Sequence, residues 1–359
     1  MWRTKTFGSQ DVSLTKFHAL NSSLLSLSNE LINRAERIVV TAHKSPDGDA
    51  VGSVWALANY LMKQGKHVHV VLPDHAPDFL HFIPGFDQTV FFCDKTEEAT
   101  TMLKSADLWF ALDYNARART GKEMAVVLEE LQAPCIMIDH HHQPESFPAV
   151  LLSDTSQSST CQMVYEFIAG LGGEDDIDVS IGSALYCGIM TDTGSFRFPS
   201  VTPRTHEIAA SLIQKGVDHA AIHRAVYDTN LLDRMRLVGY ALSEKLTVFE
   251  QYHTAIIGLT KEELQRFNYR PGDTEGLVNQ ALSIKGVNMA VFVREGNNEV
   301  KLSFRSKGSF DVNTFARVHF NGGGHFNAAG GASADPYDHV IQALIDLLPR
   351  YSDQLNYFI

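Results

Sequence analysis

From residue 37 onward, short runs of β-branched and aromatic residues alternate with segments whose apolar residues recur every three or four positions. Parallel strands need a long crossover to bring the chain back, and helices that supply it cover both faces of the sheet. The pattern therefore predicts a parallel sheet flanked by helices. Its strands are expected at 37–42, 67–72, 89–93, 108–112 and 134–138. Between the first two, Val51, Val54, Trp55, Ala58 and Leu61 share one helical stripe, and Gly65 supplies the stop. Further helices are expected at 121–131, 159–171, 180–190 and 204–216.

At 359 residues the chain has room for about two domains. The segment 217–246 reads as a helical linker, with an apolar helix over 231–246. The alternation then restarts: a strand at 253–259, and a Thr-x-x-Glu capping box at Thr260 and Glu263 opening a helix. A β-hairpin is expected around Glu295-Gly296-Asn297-Asn298, then a glycine-rich turn at 322–324 and a final helix at 338–348. The expected division is a catalytic domain over 15–216, the linker over 217–246 and a smaller α/β mixed-sheet domain over 247–350.

Cys93, Cys135, Cys161 and Cys187 are widely spaced among apolar neighbours, which predicts buried free thiols in a reducing compartment. Residues 1–10 lack the apolar core of an export signal, and no stretch approaches the ~18 uninterrupted apolar residues of a membrane span. A cytoplasmic protein with no membrane partner is expected. The net charge of −12 disfavours long duplex DNA, so a nucleic-acid ligand should be short and met by cations. No Gly-x-x-x-x-Gly-Lys-Ser/Thr loop is present, which removes an NTPase reading.

The chemistry concentrates where strands end. His43, Asp47 and Asp49 fall in the loop after the first strand, at the edge where doubly wound sheets bind ligands. Asp113 ends the fourth strand, Asp139-His140-His141-His142 ends the fifth, and Asp192 sits in a glycine-flanked turn after an apolar helix. Four segments thus deliver carboxylates and imidazoles to one rim. Such an oxygen and nitrogen donor set suits Mn²⁺ or Mg²⁺, with Zn²⁺ or Co²⁺ as substitutes. Donors suffice for two ions about 3.5–4 Å apart, an arrangement that activates water and clamps a phosphoryl group. Gly322, Gly323 and Gly324 admit a backbone nest for an anion, and Arg305 suits phosphate or a base. Ser158, Ser159 and Thr160 read equally well as a helix cap or as substrate hydroxyls. Arg117 and Arg119, just past Asp113, read either as approaching an anionic substrate or as solubilising their loop, the latter being preferred.

These segments resemble the motifs of the DHH phosphoesterase superfamily: the triplet Asp139-His140-His141, the His-x-x-x-Asp-x-Asp motif at His43, Asp47 and Asp49, and the later Phe304-Arg305-Ser306 and Gly322-Gly323-Gly324-His325. The likeness spans roughly residues 30–345. It implies that His43, Asp47 and Asp113 hold one metal and that Asp49, Asp113, His140 and Asp192 hold the other, with Mn²⁺ the expected ion and Mg²⁺ or Co²⁺ as alternatives. It implies that His141 faces the scissile phosphate, that Asp139 orients an imidazole and that Asp113 bridges. Arg305, Ser306, Gly322, Gly323, Gly324 and His325 would bind substrate, while His142 reads as a solvent-facing loop residue.

The activity implied is hydrolysis of oligoribonucleotides of about 2–5 nucleotides to 5′-mononucleotides and of 3′-phosphoadenosine 5′-phosphate to AMP. Short RNA and nucleotide bisphosphates are thus the expected partners, and the resemblance admits a homodimer. A cyclic or linear dinucleotide phosphodiesterase, a pyrophosphatase or exopolyphosphatase, and a non-catalytic nucleotide-binding protein remain as alternatives.

Overall fold

The computed structural model describes residues 12–356; the amino-terminal residues 1–10, expected to carry no export signal, lie outside them. The chain divides between Thr229 and Asn230 into two compact units.

In the first unit, β1 (Arg37–Thr41), β2 (His67–Leu72), β3 (Val90–Phe91), β4 (Leu108–Leu112), β5 (Cys135–Asp139) and β6 (Val150–Ser153) form one sheet. Its order is β3-β2-β1-β4-β5-β6, and every neighbouring pair is parallel. The connecting helices are α1 (Val12–Arg34), α2 (Gly48–Lys63), α3 (Thr96–Lys104), α4 (Lys122–Glu129), α5 (Thr160–Gly170), α6 (Val179–Asp192), α7 (Pro203–Gln214) and α8 (His219–Tyr227). Because successive strand residues point to opposite faces, Ile38, Val40, Phe110 and Leu112 pack in the core with α2, α5 and α6, while Val39, Trp109 and Ala111 pack with α3 and α4. The strand order reverses at β1, which lies between β2 and β4, so a crevice opens beyond the carboxyl ends of β1 and β4.

Close packing of α2 on α6 sharpens that crevice. A Cβ on Gly188 would meet Cys161 Sγ at 2.1 Å and Asp49 Oδ1 at 2.9 Å, and one on Gly52 would meet the Ala184 carbonyl at 2.5 Å. Only glycine lets the two helices approach this closely, and the approach carries the end of α6 to the start of α2.

The second unit holds α9 (Leu232–Glu244), β7 (Leu246–Phe249), β8 (Thr254–Leu259), α10 (Lys261–Arg266), α11 (Leu277–Leu282), β9 (Met289–Glu295), β10 (Val300–Ser306), α12 (Val312–His319), β11 (Gly323–His325), β12 (Ala328–Ser333) and α13 (Tyr337–Leu355). Its sheet runs β11-β12-β10-β9-β8-β7 and is mixed, with β8 and β9 parallel and the other pairs antiparallel. Ile256, Val291 and Phe304 face α12 and α13, whereas Ala255, Ile257 and Phe292 face α9 and α11.

The α/β class with a parallel sheet and a second mixed sheet is the one expected. Details differ. The 89–93 strand shrinks to Val90–Phe91, because the Asp94 N–H turns back onto the Phe91 carbonyl at 3.1 Å. β6 was not foreseen, being four residues long, and Leu246 opens β7 instead of closing a helix. The helices of 217–246 separate, α8 falling in the first unit and α9 in the second. Cys135, Cys161 and Cys187 are buried thiols outside any disulfide, but Cys93 is exposed, because the turn after β3 carries it out of the sheet. Among the described residues no helix is long and apolar enough to cross a membrane.

Candidate metal centre

Asp47 caps α2: its Oδ1 accepts the N–H groups of Asp49 and Ala50, both at 3.1 Å. The cap turns the chain sharply after β1 and sets Asp49 in the first turn of the helix, buried. There Asp49 Oδ2 accepts the Thr160 N–H at 2.6 Å and its Oδ1 the Cys161 N–H at 2.8 Å. Two orphan donors at the start of α5, with the positive end of its dipole, thus hold a fully buried carboxyl.

Asp113 is the hub. It follows β4 with a left-handed φ of 61°, which Asp tolerates better than most residues, and its N–H bonds to the Ile138 carbonyl at 3.1 Å. Its Oδ2 lies 3.3 Å from His43 Nε2, and its Oδ1 lies 3.6 Å from His140 Nε2. The Thr160 hydroxyl donates to the same Oδ1 at 2.9 Å. Asp192, at the last position of α6, places Oδ2 3.5 Å from His140 Nε2, and Asp49 Oδ2 lies 3.8 Å from it.

The imidazoles show how these contacts are to be read. His43 Nδ1 faces the Lys44 carbonyl at 2.9 Å and His140 Nδ1 faces the Gln157 carbonyl at 3.3 Å. A proton on each Nδ1 satisfies those carbonyls and leaves each Nε2 lone pair aimed at carboxylate oxygen. Lone pairs facing lone pairs require a cation or a proton between them, and this outer-carbonyl pattern is the one that orients metal-ligating histidine. Two donor groups that could each hold a metal ion, His43 with Asp47 and Asp113, and Asp49 with Asp113 and His140, share Asp113, the donors of each lying within 4.8 Å of one another. The donor set contains oxygen and nitrogen but no thiolate, which fits hard to borderline divalent ions.

Without a cation, protons answer the same conflict. Burial opposes the imidazolium of His140, but Asp192, Asp113 and Asp49 outweigh it and lift its pKa to about 9. Burial also opposes charge on His43, yet its bond to Asp113 and the Asp47 charge raise it. Burial and then the charges of Asp113 and Asp192 push the Asp49 carboxyl well above the usual range. Burial alone would raise Asp113 too, but three imidazoles hold it below that range.

His141 behaves differently. Its Nδ1 pairs with Asp139 Oδ1 at 2.7 Å and its N–H reaches Asp139 Oδ2 at 3.1 Å. Burial pulls its pKa down despite that partner. Asp139 is fully buried, and its two oxygens fix the orientation of the His141 ring. His142 is exposed.

The first unit thus gathers His43, Asp47, Asp49, Asp113, Asp139, His140, His141 and Asp192. Two further residues join them. Thr160 holds both Asp49, through its N–H, and Asp113, through its hydroxyl, a role that neither the helix-cap nor the substrate-hydroxyl reading of 158–160 contained. The Arg119 charge works against the imidazolium forms of both His43 and His141, so this arginine contributes positive charge to the site. Arg117 lies over the Phe147 ring at 3.9 Å.

In the second unit Arg305 lies on β10, its Nη1 donating to the Phe304 carbonyl at 3.0 Å. Ser306 is buried, its hydroxyl donating to the Phe310 carbonyl at 2.7 Å. Gly323 and Gly324 begin strand β11 in place of the expected open turn. Gly322 N–H bonds to the Ala316 carbonyl at 3.1 Å and Gly324 N–H to Asn313 Oδ1 at 2.9 Å, so these two do not form a free nest. Their small size serves packing: a Cβ on Gly322 would meet the Gly330 carbonyl at 2.0 Å, and Gly324 has a φ of 152°. His325 ends β11, paired with Ala328.

A family model described as DHH family, N-terminal domain, matches residues 37–189, and one described as DHHA1 domain matches 251–352. The chain belongs to the DHH family and is a metal-dependent phosphoesterase. Two relatives, each named bifunctional oligoribonuclease and PAP phosphatase NrnA, align over most of their length. The Bacillus subtilis protein is 28% identical over 320 residues, covering 88% of this chain and 95% of its own. The Thermus thermophilus protein is 30% identical over 326 residues, covering 87% and 90%. The crystal structure of an exopolyphosphatase-related protein from Bacteroides fragilis, 38% identical, superposes with a TM-score of 0.89 over 94% of this chain and 98% of that one.

Proposed function

We propose that this chain hydrolyses short oligoribonucleotides to mononucleotides and removes a phosphate from 3′-phosphoadenosine 5′-phosphate, using two divalent cations. The observation that carries the reading is the pair of donor groups sharing Asp113 at the carboxyl end of the sheet. The names of the two NrnA relatives support the choice of substrate. In this reading His43, Asp47 and Asp113 hold one ion, and Asp49, Asp113, His140 and Asp192 the other. Manganese suits the donors best. Such a pair supplies Lewis acidity and a nucleophile at neutral pH.

The protein's own part is to place charge and protons. Asp113 offers one oxygen toward each imidazole group, and Thr160 holds its carboxylate plane. His141, kept in one tautomer by Asp139, presents Nε2 to hydrogen-bond a phosphoryl oxygen or to give a proton to the leaving oxygen. Arg119 adds positive charge on the substrate side. Arg305 and His325 contribute contacts to a terminal phosphate or base, and Ser306 with Gly322, Gly323 and Gly324 shapes the strand and loop that carry them.

The test is product analysis with purified protein and Mn²⁺, offering a 5′-labelled diribonucleotide, a longer oligonucleotide, 3′-phosphoadenosine 5′-phosphate, cyclic di-AMP and pyrophosphate. Mononucleotides from the dinucleotide and AMP from the bisphosphate are expected. The description of the Bacteroides protein as exopolyphosphatase-related favours phosphoanhydride cleavage as the second reading. Phosphate released from pyrophosphate, with no cleavage of dinucleotides, would reverse the order.

A further inference from the structure

A second group of donors sits at the carboxyl ends of β2 and β3, away from the residues assigned above. His75, Cys93 and Asp94 are exposed, and their donor atoms all lie within 4.8 Å of one another. His75 Nε2 is 2.9 Å from Asp94 Oδ2, and Cys93 Sγ is 3.4 Å from Asp94 Oδ1. Tetrahedral zinc, with bonds of about 2.0–2.3 Å, holds its ligand atoms about 3.4–3.8 Å apart. Small side-chain rotations therefore bring this triad to coordinating separation.

The triad is also held in place. The Phe92 N–H bonds to the Leu72 carbonyl at 2.8 Å and the Cys93 N–H to the Pro73 carbonyl at 3.1 Å, lacing the two loops together. The His75 ring packs on Phe91 with centroids 4.4 Å apart, which limits its rotation. Next to it, Asp74 Oδ1 accepts the Ser45 N–H at 2.6 Å, tying this loop to the one that carries His43 and Asp47.

We propose that Cys93 Sγ, His75 Nε2 and an Asp94 carboxylate oxygen form a binding site for a borderline-soft divalent cation of the zinc class, with water completing the coordination. Three different donor types converge there, and a thiolate favours zinc or cobalt over manganese or magnesium. The oxygen and nitrogen cluster around Asp113 has the opposite preference, so the two sites sort metals by ligand chemistry. Partial burial and then the bond to Asp94 push the Cys93 thiol up, so the cation itself displaces its proton. One Sγ–H bond breaks, one bond from sulfur to the cation forms, and the proton passes to solvent.

Cobalt titration of the full chain, reduced with a phosphine that leaves metals alone, tests the site. A thiolate-to-cobalt charge-transfer band in the near ultraviolet is expected in the wild-type protein and absent from Cys93→Ser. In His75→Asn, where the thiol is intact, the band should need more than about tenfold higher cobalt. As metal-free proteins both variants should melt with the wild type, since an exposed His–Asp pair adds little to stability. No band in the wild type, or one unchanged in Cys93→Ser, overturns the proposal; the latter would place cobalt beside the buried Cys161, which packs against Asp49.

Discussion

Asp113 shows how much one residue can be asked to do. It sits in a left-handed conformation, receives a hydroxyl from Thr160 and faces two imidazoles. Asp113→Asn preserves its shape but removes the charge that two cations would share, so kcat should fall by at least about a hundredfold while the fold persists, checked by hydrolysis and circular dichroism. Asp139→Asn should spare metal content but cost about 10–100-fold in rate and shift the pH profile, because His141 loses the partner that sets its tautomer. Metal-free protein should show a stability trend of its own. The His140 pKa rises on folding from 6.5 to about 9, so its contribution is fully present below pH 6.5 and is lost as pH climbs through about 9. Calorimetry with a chelator should find Tm falling across that window. The acidic and imidazole positions after β1, β4 and β5 were legible in the sequence because they follow strands at a predictable edge. Thr160 was legible only as part of a helix cap or a source of substrate hydroxyls, because nothing in the sequence shows the contact it makes across 47 residues of chain to Asp113.

At the scale of elements, the approach of α6 to α2 brings Asp192 to the other candidate donors. Gly188→Ala would press a methyl group against Cys161 and Asp49, so activity should fall together with a stability loss of about 1–3 kcal/mol. A different contact secures α7: Arg204 Nε and Nη2 reach both oxygens of Glu166 on α5, at 2.7 and 3.1 Å, and the Glu166 side chain is only 5% exposed. Arg204→Met strands that carboxylate and should cost about 3–5 kcal/mol, whereas Arg204→Met with Glu166→Leu should recover most of the loss in urea unfolding. Helices with a strong apolar stripe or a capping box could be read directly. The glycine-rich 322–324 segment could not, because its role depends on Gly330, Ala316 and Asn313, residues that reach it only through the folded sheet. β6 and β7 escaped for a related reason: four residues carry too little periodicity to separate a strand from its flanks.

Across the whole molecule, each unit has its own buried clusters, one pair built on the parallel sheet and the other on the mixed sheet. Saturating Mn²⁺ should therefore raise the melting transition of the first unit, by about 2.7 kcal/mol at a hundred times the dissociation constant, with the effect absent in Asp113→Asn. The two-unit architecture was legible from the restart of the alternating pattern, yet the boundary at Thr229 depended on which core each linker helix joins, a property of packing alone. The strand directions of the first unit have a practical corollary. The strand ends that carry the donors of the site, after β1, β4 and β5, lie at one end, while the helix-to-strand turns at 64–66, 105–107 and 130–134 gather at the opposite end. Those turns are natural places to open the chain, and a reporter peptide inserted there could be carried through folding with the metal-binding rim intact.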